Sequence, residues 1–182
     1  MKQLALALAV TSAFVLAVPS SPAVASVETV EARQTATSAA EIAYQDKLAV
    51  FGGKRVKPGQ YLWRDVDADG PPRVVVGLSD QLAYLYRGNA LVAVAAISTG
   101  TDKNPTPTGI FEVLQKKRMH HSRKYDNAPM PFMQRIDRFG IALHAGHNPG
   151  HPASHGCIRL PSKFAAKLYG ITDVGTTVLI GA

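Results

Sequence analysis

The sequence predicts a mostly β domain, a sandwich or barrel-like fold with one short helix late in the chain. Twelve prolines and fifteen glycines against 7% aromatic residues point to frequent turns and short elements, not to a helical bundle. Between those turns lie short β-type runs. With 182 residues, 46% hydrophobic and 18% charged, the chain can bury one core of ordinary size. That composition excludes disorder, collagen and multi-span membrane architectures.

The elements follow in order. Lys2 precedes an uncharged stretch from Leu4 to Val18, then Pro19-Ser20-Ser21-Pro22 and Ala23-Val24-Ala25. The run is shorter than the roughly 20 residues of a spanning helix, and Ala-x-Ala offers the small side chains a signal peptidase accepts. Residues 1–25 therefore read as a signal peptide, the protein as exported to periplasm or cell wall, with no membrane span after it. Residues 26–57 form a polar lead-in with one helix, Thr37 to Val50, ended by Gly52-Gly53. Residues 58–182 form the main domain, with its core at 73–181.

Arg73 to Gly77, Gln81 to Tyr86 and Ala90 to Ser98 read as an antiparallel meander, with Gly88-Asn89 as a hairpin turn because both residues tolerate positive φ. Pro105-Thr106-Pro107-Thr108-Gly109 breaks the chain before a strand at Ile110 to Leu114. The stretch from Gln115 to Asp137 reads as a long irregular loop, which in a compact domain is functional or disordered. Its aromatic, Met and Pro residues favour a lid beside a site, with Tyr125, Asn127, Met130, Phe132 and Arg135 facing substrate. Ile141 to His144 is a strand end, Pro161 to Tyr169 a helix with proline in its first turn and Gly170 as its stop, and Thr176 to Ile180 a last strand.

Twenty Lys and Arg against 13 Asp and Glu give a formal +7, spread along the chain. Nucleic acid is not the expected partner; such a surface suits any polyanion. The one cysteine, Cys157, can form no intrachain disulfide. An exported lone thiol is open to oxidation, so its retention asks for a reason.

Within the residues from His144 to Cys157 lie four histidines, at 144, 147, 151 and 155, together with that cysteine. Two chemistries can use such a cluster. Nucleophilic catalysis needs a thiolate, an imidazole to take its proton and amides to hold an oxyanion. Gly156 lets backbone approach a substrate, and a helix beginning just beyond Cys157 would lower its pKa. Zinc needs three or four converging ligands, but the spacings lack the strict pairs of structural sites, and Pro149 and Pro152 forbid a single helical face. No Gly-rich phosphate loop occurs, and the favoured reading needs no metal and no cofactor.

The motif Ser154-His155-Gly156-Cys157-Ile158-Arg159, preceded by His144 on an apolar strand end, resembles that of the YkuD-type L,D-transpeptidases of bacterial cell walls. Pro105-Thr106-Pro107-Thr108-Gly109-Ile110-Phe111 resembles a second stretch of that family. The resemblance implies an L,D-transpeptidase-like fold with a short helix after the nucleophile. It implies Cys157 as nucleophile, His144 as general base, and the Ala145 carbonyl orienting that imidazole. His155 and Gly156 would line the nucleophile, with the amides of Gly156 and Cys157 for the oxyanion. Ser154 would shape the loop and Arg159 contact substrate. The implied partners are peptidoglycan stem peptides, with acylation by carbapenems. The chain departs from the family in one respect: only nine residues separate His144 from Ser154, a trimmed connection that leaves His147 as a second candidate base.

Three other readings stand beside L,D-transpeptidation. Water as acceptor would make an L,D-carboxypeptidase, loss of catalysis would leave a wall-binding module, and a zinc hydrolase would use the histidines.

Overall fold

The computed structural model describes residues 26–182; residues 1–25, where the sequence leads one to expect a signal peptide, lie outside them. In chain order the elements are β1 (Ser26–Val27), α1 (Val30–Phe51), β2 (Tyr61–Trp63), β3 (Pro72–Gly77), β4 (Leu82–Arg87), β5 (Ala90–Ala96), β6 (Gly109–Glu112), β7 (Gln115–His121), β8 (Pro129–Arg135), β9 (Ala142–Ala145), β10 (Ile158–Leu160), α2 (Ser162–Ile171) and β11 (Thr177–Gly181). They form a seven-stranded sheet in the order β1-β6-β11-β3-β4-β5-β2 and a four-stranded sheet in the order β10-β9-β8-β7. The fold is the mostly β arrangement the sequence predicts.

Strand alternation divides the large sheet between two cores. Val74, Val76, Ala83 and Leu85 face the smaller sheet and α2, where they pack with Phe111, Ile136, Leu143, Ile158, Leu160, Phe164 and Leu168. Val75, Leu82, Tyr84 and Tyr86 face the other way, onto Ala36, Ala40 and Ala43 of α1. The helix begins at Thr29, whose hydroxyl accepts from the Ala32 N–H at 3.2 Å, and it presents alanines every three or four residues. Those small side chains let it lie close on the sheet. The polar lead-in thus covers a face of the domain.

Two expectations are corrected. The stretch from 115 to 137 is not an irregular loop: β7 and β8 form an antiparallel hairpin, pairing Gln115 with Arg135 and His121 with Pro129. Its alternation was hidden because much of it meets water, with Lys117, Arg118 and Met119 exposed. Prolines fit in β8 because β9 reaches it only at Gln134 and Arg135, so the missing N–H groups at 129 and 131 leave no β9 ladder bond unmade.

Nor does Gly170 stop α2, which continues to Ile171. Its end is set by one local bond and one tertiary contact: the Thr172 N–H donates to Leu168 O at 3.0 Å, and Lys116 Nζ from β7 donates to the carbonyls of Tyr169, at 2.8 Å, and Thr172.

Candidate active site

β9 and β10 run parallel, with Arg159 opposite His144 and Ile158 opposite Leu143. Cys157, two residues ahead of Arg159, falls on the same side of the sheet as His144. Diagonal neighbours on adjacent strands have roots about 7–8 Å apart, within reach of long side chains. Both residues line one groove of about 1050 Å³. Its floor is apolar where Cys157 packs against Met130, Met133 and Ala142.

The motif loop is closed on itself and fastened from behind. Ser154, only 2% exposed, donates its hydroxyl to Cys157 O at 2.6 Å and accepts from the Gly156 N–H at 3.1 Å. Thr106, in the Pro-Thr-Pro stretch, donates to Gly156 O at 2.8 Å and accepts from the Gly100 N–H at 2.8 Å. The Thr101 N–H donates to Ser154 O at 3.1 Å. Gly156 has φ +110, and a Cβ there would lie 2.6 Å from Ile141 Cδ1. At Gly100 a Cβ would lie 2.9 Å from Gly156 Cα and 2.1 Å from Asn104 O, so the two backbones touch: Gly100 has no room for a side chain, and Gly156 has a φ that side chains rarely adopt.

This corrects one expectation. The Gly156 N–H is taken by Ser154 and is not available to an oxyanion; of the two expected amide donors, that of Cys157 remains.

The electrostatics differ from those expected of a thiol at a helix N-terminus. β10 intervenes between Cys157 and α2, so the helix does not begin beside the sulfur. Burial raises the thiol above its ordinary value of 9.0, against a lowering contact with the Ala142 backbone; nearby Asp137 raises it further and Arg159 lowers it. Sγ lies 3.8 Å from Gly140 O.

His144, 7% exposed, is pushed below the ordinary 6.5 by burial, against its bond to the Ala145 backbone, with Arg159 and His120 acting in the lowering direction. At neutral pH the resting pair is thiol and neutral imidazole. Iodoacetamide should therefore alkylate Cys157 slowly at pH 7, with a rate still rising past pH 9.0. A plateau reached near neutrality would instead mean a preformed thiolate.

His144 Nδ1 lies 2.8 Å from Ala145 O. A carbonyl only accepts, so Nδ1 carries the proton, and in the neutral ring Nε2 keeps the lone pair. The tautomer is fixed by the chain's own next residue.

Of the other residues predicted for the site, Tyr125, Met130, Arg135, His155 and Arg159 line the groove. Tyr125, at the hairpin tip, stacks on the His155 ring with centroids 4.2 Å apart and planes at 16°. The hairpin thereby reaches across to the motif loop. Arg135 Nη1 donates to Asp137 O at 2.7 Å. Phe132 and Asn127 do not face the groove. Phe132 takes φ +56, a local irregularity that turns its ring to Tyr169, 5.9 Å away, while Asn127, φ +51, is exposed in the tip turn. His147 is exposed on the rim, and His151 is exposed and outside the groove.

The sequence reading missed Thr106 and Asp137. Buried Asp137 accepts from the N–H groups of Phe139 and Ile141 at 2.9 and 2.8 Å and so shapes the turn that brings Gly140 to the sulfur. An Asp followed by Gly three residues later was the available signal. Among the described residues no three His, Cys, Asp or Glu side chains converge as a metal site. No helix among them is long and apolar enough to cross a membrane.

The arrangement is that of a two-sheet β domain whose groove holds one thiol and, among its histidines, the buried imidazole of His144. A family model for the L,D-transpeptidase catalytic domain, YkuD, matches residues 71–180, and the chain belongs to that family. No curated protein matches it. Among solved structures it is similar to an L,D-transpeptidase from Stackebrandtia nassauensis, with 25% identity and TM-score 0.57, covering 65% of this chain and 58% of that one. It is also similar to one from Xylanimonas cellulosilytica, with 24% identity and TM-score 0.58, covering 75% and 69%. A third, LD transpeptidase LdtMt1 in complex with imipenem, is 21% identical with TM-score 0.55, covering 60% and 58%. The chain thus spans less than two thirds of the first and third of these relatives.

Proposed function

We propose that this chain is an exported L,D-transpeptidase acting on peptidoglycan stem peptides in the periplasm or cell wall. Cys157 Sγ attacks the carbonyl that joins an L-centre to a terminal D-residue, and the thiol proton passes to Nε2 of His144. The C–N bond breaks, the same proton leaves on the departing D-amino acid, and the acyl group stays on sulfur as a thioester. An amine of a second stem then displaces the thiol and forms the cross-link. Water in its place would give L,D-carboxypeptidation.

One observation carries this reading. The Ala145 carbonyl holds Nδ1 of His144, leaving Nε2 as the basic nitrogen in a groove that also holds Cys157. Because the thiol is protonated at rest, proton removal accompanies attack.

Intact-protein mass after incubation with imipenem tests the proposal. Wild type should gain one equivalent and Cys157→Ala none. No adduct on folded, reduced wild type would turn the reading to a wall-binding module.

A further inference from the structure

The groove carries charge of essentially one sign. Lys117, Arg123, Lys124, Arg135, Arg138 and Arg159 line it, and Asp126 is the one carboxylate among its lining residues. Two of these cations stand near the nucleophile in the strand register, where buried Asp137, behind the lining, is the nearby charge of opposite sign. Arg135 stands opposite Ala142 in the β8–β9 register, and Ala142 packs against Cys157. Arg159 stands opposite His144, two residues beyond Cys157. The Arg135 guanidinium is steadied by Asp137 O through Nη1, so its remaining donors meet a ligand with little further ordering.

Such cations are more than a hydrolytic or transfer mechanism at one carbonyl requires. The groove is complementary to a ligand bearing several carboxylates, and an arginine fork pairs with a carboxylate through two parallel bonds that a neutral carboxamide cannot reproduce.

Resting on the donor-site reading above, we infer that the groove selects stem peptides whose side carboxylates are free over the same peptides in amidated form. Arg135 and Arg159 read the carboxylates nearest the scissile bond. Lys117, Arg123, Lys124 and Arg138 supply a field that draws the anionic peptide in.

Two synthetic stem tetrapeptides test this, identical except that the carboxylates beside the main chain at the second and third residues are carboxamides in one of them. Turnover is measured on wild type with one fixed amine acceptor, and binding on Cys157→Ala by calorimetry. The free-acid peptide should be preferred by about tenfold or more in kcat/KM and in Kd, the factor of one charge-assisted bond. The advantage should shrink as salt rises from 0.05 to about 0.5 M. Arg135→Gln should narrow the ratio by weakening the free-acid peptide alone, through KM more than kcat.

Equal binding of both peptides to Cys157→Ala, or preference for the amidated one, overturns the inference. So does a ratio that Arg135→Gln leaves unchanged when Arg159→Gln does too. A protein that binds the free-acid peptide selectively yet turns over neither peptide, and takes up no imipenem, would instead overturn the catalytic reading while sustaining this one.

Discussion

Replacing His144 with alanine should slow acylation of Cys157 by imipenem about 10²- to 10⁴-fold, the range a positioned general base contributes. The size follows from the protonation states. Burial lowers the imidazole and raises the thiol, so neither is charged at pH 7, and in the proposed mechanism the sulfur depends on Nε2 for proton removal. The wild-type rate should be level through neutral pH and fall as pH drops below the ordinary imidazole range, because protonation removes the base. In His144→Ala the remaining rate should instead climb with pH as the thiol ionises unaided. Stopped-flow acylation between about pH 5 and 10, with far-UV circular dichroism to establish folding, distinguishes the two. A variant as fast as wild type would remove His144 from the mechanism and bring His147, exposed on the rim, forward as the base.

Gly156→Ala should injure both stability and reaction. At φ +110 an alanine is strained by about 1–3 kcal/mol, which lowers Tm by roughly 2–4 °C per kcal/mol in a chain of this size. The steric part is milder, because the nearest atom to the new methyl group is the flexible end of Ile141 at 2.6 Å. The chemical loss is expected to be larger. Gly156 accepts from Thr106 and donates to Ser154, so a shifted peptide moves the neighbouring sulfur, and a displacement near 1 Å costs about 10²-fold. Gly170→Ala serves as the contrast, since a Cβ there meets nothing within 4 Å and alanine favours helix. Calorimetric Tm and imipenem acylation should separate the variants; equal behaviour would mean that the motif loop tolerates displacement.

What was legible in the sequence follows the physics of burial. β3, β4 and β5 announced themselves because their residues face two apolar layers, and the motif around Cys157 did so because its Gly and Ser are needed for a tight, self-bonded turn. The β7–β8 hairpin did not. Gln115-Lys116-Lys117-Arg118-Met119-His120-His121 has no apolar stripe because one side is rim and groove. The end of α2 was hidden for a different reason: Lys116, far away in sequence, provides the cap that Gly170 was expected to provide. The direction of the Cys157 shift likewise depends on β10 keeping α2 at a distance, on Met130 arriving from β8 and on Asp137 arriving from the turn that follows it. Contacts of that kind have no local signature.

The position of β11 also sets an order of events. It lies between β6 and β3, parallel to β3 and antiparallel to β6, although it follows both by a long stretch of chain. During synthesis β3 and β6 therefore exist for a time as two open edges with nothing between them, each able to pair with a wrong strand. The sheet closes only when the late strand slots in, a long-range step that places folding in the millisecond-to-second regime of β proteins instead of the microsecond regime of helical bundles. A chain held back from folding until β11 has been made would pass through this interval without exposing those edges to aggregation.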